Sequence, residues 1–319
     1  MAERPDVPVN TAFLTDVIDG LSQRHKAIPA RWFYDQRGSE LFEDITRLPE
    51  YYPTRTESGI LRAAAPELAQ LAARRAVVEF GSGSSEKTPL LLSACDPLAY
   101  VPIDISGDFL RSSSAALQAD FPTLPVLPVE ADFMHPVVLP EEIASMPRLG
   151  FFPGSTIGNL VPPSAVDLLR SMRSTLGDDG QLLIGIDCIK SPDVLIPAYD
   201  DAAGVTARFN LNLLHRINRE LAADVPVGDF AHKIVWNEAL SRIEMHLEAR
   251  RTLSFTIAGH RIALAEGETI HSENSHKYGE RDANLLLLAG GWTPLHRWTD
   301  PDGQMMLILA EASEHRTAP

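Results

Sequence analysis

The sequence of 319 residues has only two cysteines, Cys95 and Cys188, and both stand alone in apolar surroundings. So few cysteines argue against a disulfide framework, and they favour a reducing compartment in which both thiols serve as small core residues. No apolar run approaches the roughly 20 residues that a membrane-spanning helix needs. The start of the sequence also lacks the basic and apolar segments of a secretory signal. We therefore expect a cytoplasmic protein.

Basic residues are scarce, because 28 Lys and Arg stand against 43 Asp and Glu and leave a formal net charge of −15. Without a basic stripe, the chain is a poor candidate for binding nucleic acid. Internal repeats and low-complexity tracts are absent too. Hydrophobic residues make up 45% of the chain, so it can bury a full core. The length allows one large domain or two small ones.

Apolar segments and helical segments alternate through the first two thirds of the chain. Strands are predicted over 76–80, 100–103, 126–131, 149–152 and 181–186, and helices over 84–94, 108–118 and 164–176. This alternation predicts a mostly parallel sheet with right-handed crossovers. Two further strands, over 293–298 and 305–310, are joined by a turn and close the sheet as a hairpin-linked pair.

Two glycines, Gly81 and Gly83, follow the first predicted strand. Glycines there permit a sharp turn and let a ligand approach the backbone closely. The third glycine of the dinucleotide fingerprint is absent, which argues against NAD. Asp104 ends the second strand, where an acid can accept hydrogen bonds from ribose hydroxyls. Together these residues resemble the first motif of class I methyltransferases, which implies an α/β, Rossmann-like fold that binds S-adenosylmethionine.

Polar residues gather where the predicted strands end. They are Gly81 and Gly83, Asp104, Asp132, Asn159 and Asp187. Because the carboxyl ends of parallel strands meet at one edge of a sheet, we expect the ligand site at that edge. After Lys190 the pattern changes to helices and then to alternating strands. We therefore predict a cofactor-binding core over 60–195 and 280–319, with a substrate-binding lobe built from 1–59 and 196–279.

Five segments then carry a specific resemblance. They are Trp32–Phe42, Leu48–Glu57, Glu79–Thr88, Phe152–Asn159 and Glu273–Lys277. Together they resemble the histidine-specific methyltransferases of ergothioneine biosynthesis, which trimethylate the α-amino group of L-histidine to hercynine. The resemblance covers essentially the whole chain. It implies an N-methyltransferase that uses S-adenosylmethionine as methyl donor and L-histidine as substrate, and that acts as a monomer.

The resemblance implies a cofactor role for eight residues, namely Tyr34, Phe42, Gly81, Gly83, Lys87, Asp104, Asp132 and Phe133. Lys87 would lie near the cofactor carboxylate and Asp104 at its ribose. Asp132 and Phe133 would hold the adenine, the second by stacking. Tyr34 and Phe42 would line the cofactor side, where aromatic faces attract a sulfonium or a quaternary ammonium.

The resemblance also implies a substrate role for Tyr51, Gly154, Asn159, Tyr199, Met245, Glu273, Asn274 and Ser275. Asn159, with Gly154 close by, would meet the α-amino group, and Tyr51 and Tyr199 would donate to the carboxylate. Glu273 and Ser275 would bind the two imidazole nitrogens. Asn159 and Tyr51 are the expected catalytic residues. Asn274 stands between two substrate residues, and Met245 could pack beside the imidazole or belong to the core.

Other interpretations remain open at this point. His271 and His276 could suggest a metal site, but no cysteine or carboxylate cluster at ligand spacing accompanies them, so we expect no metal. The chain could also methylate another amino acid or a small amine. Alternatively, it could bind S-adenosylmethionine without catalysis, as the partner of a neighbouring enzyme. The presence of Tyr51, Asn159, Tyr199 and Glu273 together argues against this last possibility.

Overall fold

The computed structural model describes residues 10–83 and 87–313. Its helices are α1 (Thr11–Ser22), α2 (Gln36–Thr46), α3 (Tyr52–Leu71), α4 (Thr88–Cys95), α5 (Gly107–Asp120), α6 (Pro162–Leu176), α7 (Pro192–Tyr199), α8 (Val205–Glu220) and α9 (Glu280–Ala289). Its strands are β1 (Ala76–Phe80), β2 (Ala99–Asp104), β3 (Val129–Glu130), β4 (Arg148–Phe152), β5 (Gln181–Asp187), β6 (Phe230–Asn237), β7 (Arg242–Ala249), β8 (Leu253–Ile257), β9 (His260–Leu264), β10 (Thr269–His276), β11 (Trp292–Thr299) and β12 (Met305–Ala312). None of the helices in this part of the chain has the length and apolar character needed to cross a membrane.

Seven strands form one sheet in the order β11-β12-β5-β4-β1-β2-β3. The five strands from β3 to β5 in this order pair in parallel, whereas β12 is antiparallel to both of its neighbours. The final hairpin therefore closes a parallel sheet, and the predicted class I methyltransferase fold is confirmed. The chain order reverses at β1, which lies between β2 and β4. Open α/β sheets bind their ligands at such a reversal.

The core of this sheet is apolar on both faces, as expected when helices cover a parallel sheet from both sides. All five residues of β1 are buried, including the acid Glu79. Its carboxylate accepts hydrogen bonds from the Thr88 hydroxyl at 2.7 Å and from the Tyr100 hydroxyl at 2.7 Å. Hydroxyl donors thus compensate for taking this acid out of water. The glycine turn consequently follows a rigid, fully packed strand.

Several predicted elements differ from the observed ones. The strand predicted over 126–131 is only Val129–Glu130. The prolines around Tyr51 and Tyr52 predict an irregular segment, yet α3 begins at Tyr52 because Pro53 falls in its first turn, where no amide hydrogen is needed. Strand β6 is absent from the prediction. The predicted helix start at 84–86 lies outside the described residues, and α4 is observed from Thr88.

The chain divides into two compact units. The sheet unit takes up Tyr52–Lys190 and the chain from Ser275, and the second unit takes up the chain to Tyr51 and Ser191–Asn274. The predicted boundaries at 60, 195 and 280 therefore shift, so that all of α3 belongs with the sheet. In the second unit, three strands form a small sheet in the order β10-β7-β6, and β8 and β9 form a hairpin. That this unit binds the substrate stays a prediction.

Candidate active site

The turn after β1 contains Gly81 and Gly83, whose φ angles are +72° and +44°. Residues with side chains rarely adopt such angles. A Cβ on Gly81 would lie 3.3 Å from the ring of Phe133. A Cβ on Gly83 would meet no described atom within 4 Å. Gly81 thus admits an aromatic ring beside the turn, and among the residues that the structure describes none occupies the space beside Gly83.

Asp104 lies at the end of β2, next to this turn. One of its carboxylate oxygens accepts the backbone N–H of Gly83 at 3.2 Å, and the other accepts that of Ser106 at 2.9 Å. Each carboxylate oxygen has a second lone pair, so the group can still accept from hydroxyls. Two of the predicted cofactor residues are therefore in direct contact. Their binding of a ribose stays a prediction.

Phe133 and Asp132 follow the short strand β3. The ring of Phe133 makes edge contacts with Phe80 and Phe152, at centroid distances of 6.4 and 6.1 Å. This places it across the ends of β1 and β4. The Asp132 side chain is 43% exposed, and one of its oxygens accepts the backbone N–H of Met134 at 2.9 Å. A stacking ring and an accessible acceptor thus lie in adjacent positions, as adenine binding would require.

Lys87, which is predicted to lie near the cofactor carboxylate, is paired with a buried acid in the structure. Its Nζ lies 2.5 Å from Oε2 of Glu57, and their side chains are 10% and 0% exposed. The same oxygen accepts the backbone N–H of Gly154 at 2.8 Å. Glu57 was not predicted as a site residue. The available signal is its position on the apolar face of α3, one turn before the buried Ile60 and Leu61.

The loop after β4 carries Gly154 and Asn159. Gly154 has a φ of +80°, and the short 3₁₀ turn Thr156–Asn159 follows it. This turn is anchored by Gly158, whose carbonyl accepts Nδ1–H of His276 at 2.8 Å. A Cβ on Gly158 would lie 2.7 Å from the His276 carbonyl, so only glycine permits this approach. Asn159 is thus held at the sheet edge, half-buried, by tight packing.

A buried charge cluster lies at the end of β5. The Asp187 carboxylate accepts from the Tyr52 hydroxyl at 2.7 Å and from Lys277 at 2.6 Å, and it also pairs with Lys190. Burial alone would raise the pKa of Asp187, but the two ammonium groups outweigh it and hold that pKa below its ordinary value. Lys277 also donates to the hydroxyl oxygen of Ser275 at 2.8 Å. Of these five residues, only Ser275 was a predicted site residue.

In the second unit, four predicted aromatic residues form one cluster around Phe209 of α8. The ring centroids of Tyr34 and Phe42 are 5.7 Å apart, those of Phe42 and Tyr51 are 6.3 Å apart, and those of Tyr51 and Tyr199 are 6.3 Å apart. Phe209 contacts Tyr34 and Phe42 at 5.8 and 6.1 Å. The structure thus brings the predicted cofactor aromatics next to the predicted carboxylate-binding tyrosines, through the direct contact of Phe42 with Tyr51. Phe209, which packs on Tyr34 and Phe42, was not predicted.

A hydrogen-bond chain connects Tyr199 with β10. Nε2–H of His232 donates to the Tyr199 carbonyl at 2.9 Å, and its Nδ1 accepts from the Asn210 amide at 2.9 Å. The side-chain oxygen of Asn210 in turn accepts from the Ser272 hydroxyl at 2.7 Å. These partners require neutral His232 with hydrogen on Nε2 only. Burial, the largest cause, lowers the pKa of His232 and agrees with this.

The predicted imidazole residues follow one another on β10. Because this strand is extended, Glu273 and Ser275 point to the same face, as the spacing predicts. Between them, the Asn274 side-chain oxygen is buried and has no hydrogen-bond partner among the described residues. Met245 on β7 is only 1% exposed, and its carbonyl accepts from the Ser272 hydroxyl at 3.0 Å. Burial places Met245 in the core, and its contact with a substrate stays a prediction.

One carboxylate–histidine group does occur, although the sequence spacing did not indicate it. Glu244, His246 and His271 each offer a ligand atom, and these atoms lie within 4.8 Å of one another. However, Arg242 pairs with the Glu244 carboxylate at 2.6 Å. Burial would raise the pKa of Glu244, but hydrogen bonds from neighbours including Asn237 and Arg242 lower it to about 2. A carboxylate already neutralised by arginine attracts a cation weakly. That no metal binds stays a prediction.

Comparisons with known proteins identify the family of the chain. A family model described as SAM-dependent histidine-specific methyltransferase matches residues 13–312. Over 309 residues the chain is 41% identical to the histidine N-alpha-methyltransferase of Mycolicibacterium smegmatis, and the alignment covers 94% of each chain. The enzyme of that name from Mycobacterium tuberculosis is 40% identical, again over 94% of each chain. The 4-dimethylallyltryptophan N-methyltransferase of Aspergillus fumigatus is 27% identical, over 90% of this chain and 89% of that one. The chain therefore belongs to the family of S-adenosylmethionine-dependent, histidine-specific methyltransferases.

Proposed function

We propose that this protein transfers three methyl groups from S-adenosylmethionine to the α-amino nitrogen of L-histidine and so forms hercynine, the first step of ergothioneine biosynthesis. The observation that carries the proposal is the 41% identity to a histidine N-alpha-methyltransferase over 94% of both chains. The residues that are predicted to bind the substrate also have side chains suited to this reaction. We further propose that it acts in the cytoplasm, as a monomer, and without nucleic acid.

The residues at the sheet edge fit the methyl donor. S-adenosylmethionine supplies an electrophilic methyl group on a positively charged sulfur. The open space at Gly83 leaves room for a ligand against the backbone of the turn. Asp104 is placed to accept from ribose hydroxyls, and Asp132 with Phe133 would hold the adenine by an acceptor and a stacking ring. The Lys87 ammonium group would approach the carboxylate of the donor while it stays paired with Glu57.

The substrate-binding roles follow from the chemistry of each side chain. Tyr51 and Tyr199 can donate hydrogen bonds to the histidine carboxylate without adding charge. Glu273 can accept an imidazole N–H, and the Ser275 hydroxyl can serve the other ring nitrogen. Each of these side chains can therefore bind one polar group of the amino acid.

The reacting nitrogen needs orientation more than it needs a base. A free α-amino group has a pKa near 8 in peptides, so it loses a proton to water readily near neutral pH. The Asn159 side-chain oxygen can accept an N–H of the amine, which aims the lone pair along the line of an in-line displacement. Orientation of this kind can account for several powers of ten in rate. Tyr51 would hold the carboxylate so that this alignment persists through three rounds.

The aromatic cluster of the second unit suits the product. Each transfer brings the amine closer to a permanent cation, and trimethylation completes it. The rings of Tyr34, Phe42 and Tyr51 contact one another edge-on in one cluster, and aromatic faces attract quaternary ammonium groups. Such a surface would attract the charged product and the positively charged donor.

A second candidate function is methylation of another amino acid. The 27% identical relative is named for a tryptophan derivative, which makes an amino acid with a different ring a candidate substrate here. A screen of purified protein with labelled S-adenosylmethionine and each proteinogenic amino acid separates the two. Histidine should be methylated fastest by a wide margin. Preferred transfer to another amino acid would favour the second function, and no transfer to any would favour a non-catalytic binding protein.

A further inference from the structure

The carboxylate of Glu57 lies in a space that Gly185 of β5 leaves open. The φ angle of Gly185 is not positive, so its backbone would accept a side chain. A Cβ at this position would nevertheless lie 1.7 Å from Oε1 of Glu57 and 3.4 Å from the backbone nitrogen of Gly154. The glycine is therefore needed for space, and it makes room for the carboxylate beside the loop that follows β4.

One oxygen of this carboxylate holds two groups. Oε2 accepts from the Lys87 ammonium at 2.5 Å and from the backbone N–H of Gly154 at 2.8 Å. The other oxygen, Oε1, is buried and has no hydrogen-bond partner among the described residues. Glu57, Gly154, Gly185 and Lys87 all belong to the sheet unit. A single carboxylate thus connects the residue that precedes α4 with the loop after β4.

Stability alone does not account for this acid. Glu57 is 0% exposed, and the cost of taking two charges out of water largely cancels the attraction between them. Apolar residues of similar volume would stabilise the fold equally well. The arrangement is instead suited to fixing positions, because lysine has a long, flexible side chain and an ammonium with three donors. The pair with Glu57 fixes the ammonium and leaves it able to donate to a second carboxylate.

We propose that Glu57 is a positioning residue that holds the Lys87 ammonium and the Gly154 N–H at one oxygen atom. It thereby fixes the binding site for the donor carboxylate relative to the loop that would meet the reacting amine. Gly185 supports the same role, because it leaves the space that the Glu57 carboxylate needs. This inference rests on the proposed function, since it assumes that Lys87 meets the carboxylate of S-adenosylmethionine.

The first measurement compares two ligands by calorimetry. S-adenosylhomocysteine has the amino-acid part of the donor, whereas methylthioadenosine lacks that part and keeps the nucleoside. The wild type should bind S-adenosylhomocysteine at least about tenfold more tightly, since hydrogen bonds to charged groups contribute that much. Lys87→Met and Gly185→Ala should each lower this preference by about tenfold. The affinity for methylthioadenosine should stay unchanged, because the changes leave the nucleoside site intact.

The second measurement is hydrogen–deuterium exchange at the amide of Gly154, followed by nuclear magnetic resonance. This N–H should exchange slowly in the wild type, because it donates to a buried carboxylate. Gly185→Ala should speed the exchange by about tenfold, since the new Cβ displaces the acceptor and one hydrogen bond is lost. Lys87→Met should leave the exchange slow, because Glu57 still accepts from Gly154.

Gly150→Ala is the matched control. Gly150 lies on β4, which pairs with β5, and a Cβ there would lie 2.5 Å from the Leu176 side chain rather than near Glu57. Both readouts should match those of the wild type. If Gly185→Ala does not fold, the double variant Glu57→Leu/Lys87→Met replaces it, because apolar residues can replace a buried ion pair. This variant should bind both ligands like Lys87→Met, but its Gly154 amide should exchange faster.

A folded Gly185→Ala protein with the wild-type ligand preference, or with unchanged exchange at Gly154, would overturn the inference. So would a double variant in which Gly154 exchanges as slowly as in Lys87→Met. Neither measurement requires methyl transfer, so the proposed function has a separate readout. Both expected results in a protein that does not methylate histidine would contradict only the proposed catalysis. Methylation of histidine by a protein in which Gly185→Ala changes neither readout would overturn only the role of Glu57.

Discussion

Glu57 and Lys87 form a buried ion pair, with Nζ 2.5 Å from Oε2 and side chains that are 0% and 10% exposed. The pair joins α3 to the residue that precedes α4, and the backbone N–H of Gly154 donates to the same carboxylate oxygen. A buried charge pair adds little net stability, but removing one partner leaves the other charge uncompensated. The pair is therefore expected to position Lys87 for its predicted role at the cofactor carboxylate.

Glu57→Gln tests this arrangement by removing the charge and keeping the shape. The lysine would remain buried without its carboxylate, so the free energy of unfolding should fall by about 3 kcal/mol. Urea unfolding of both proteins gives this difference. Asp167→Asn is the control, because it breaks an exposed pair with Arg170 and should leave the unfolding midpoint unchanged. Equal stability of the wild type and Glu57→Gln would mean that another group compensates the buried charge of Lys87.

Gly83→Val tests the cofactor turn. Gly83 has a φ of +44° and open space where a Cβ would lie, so the new side chain should occupy the approach of the ligand. S-adenosylmethionine binding should be lost while the protein stays folded. Gly303→Val is matched, because Gly303 has a φ of +63° and also has nothing near its Cβ position. Calorimetry that finds near-normal cofactor affinity in folded Gly83→Val would refute the assignment.

Asn159→Ala tests the orientation of the amine. If the amide aims the lone pair, kcat should fall by about a hundredfold, since small losses of alignment have effects of that size. KM should change much less. Thr156→Ala, in the same 3₁₀ turn, is the control and should retain most of kcat. A change confined to KM would indicate that Asn159 contributes uniform binding, and the orienting role would then be wrong.

Glu273→Ala tests how the imidazole is recognised. Hydrogen bonds to charged groups contribute roughly 1.5–3 kcal/mol, so kcat/KM for histidine should fall by about ten- to hundredfold. Cofactor binding should stay nearly unchanged, and amino acids with apolar rings should be discriminated less. Glu248→Ala, which removes an acid from β7, is the control. An unchanged preference for histidine in Glu273→Ala would mean that the ring is recognised elsewhere.

His232 makes stability depend on pH. Its pKa in the folded protein is lowered, chiefly by burial, whereas an unfolded histidine titrates near pH ~6.5. The unfolded state therefore binds the proton more strongly, so the stabilising contribution is complete above pH ~6.5 and is lost as the pH falls below it. One such group gives a slope of at most about 1.4 kcal/mol per pH unit.

Urea unfolding between pH ~8 and ~5 measures this slope, because most carboxylates titrate lower than this range. His232→Gln should reduce the slope. His246 and His271, whose pKa values are also lowered mainly by burial, should account for the remainder. His135→Gln is the control, because the His135 side chain is 80% exposed. An identical slope in the wild type and in His232→Gln would contradict the conclusion that folded His232 is neutral and hydrogen-bonded at both ring nitrogens.

Local patterns explain why the sheet could be predicted and the charge network could not. A buried strand, a glycine pair and an acid at the end of the next strand are short-range signals. They predicted that Gly83 and Asp104 lie at one edge of the sheet, and in the structure the two residues are in contact there. Glu57 meets Lys87 from 30 residues away, and Asp187 meets Lys277 from 90 residues away. Sequence periodicity does not predict such pairings, because they depend on how segments far apart in the sequence pack within the folded unit.

The same reasoning applies to elements that were mispredicted. The sequence of β6 lacks the clear apolar–polar alternation that identifies a strand. In agreement with this, every residue of β6 after Phe230 is half-buried. The short strand β3 is set by its pairing with β2 over two residues, which composition does not reveal. The substrate residues themselves were identified by family resemblance, and their roles stay predictions.

The most direct test of the central claim is mass spectrometry of L-histidine incubated with purified protein and S-adenosylmethionine. We predict successive products with one, two and three methyl groups, all on the α-amino nitrogen, with the trimethylated product accumulating. Fragmentation of the product locates the methyl groups. Histidine that stays unmodified, or that carries its methyl groups on the imidazole ring, would contradict the account.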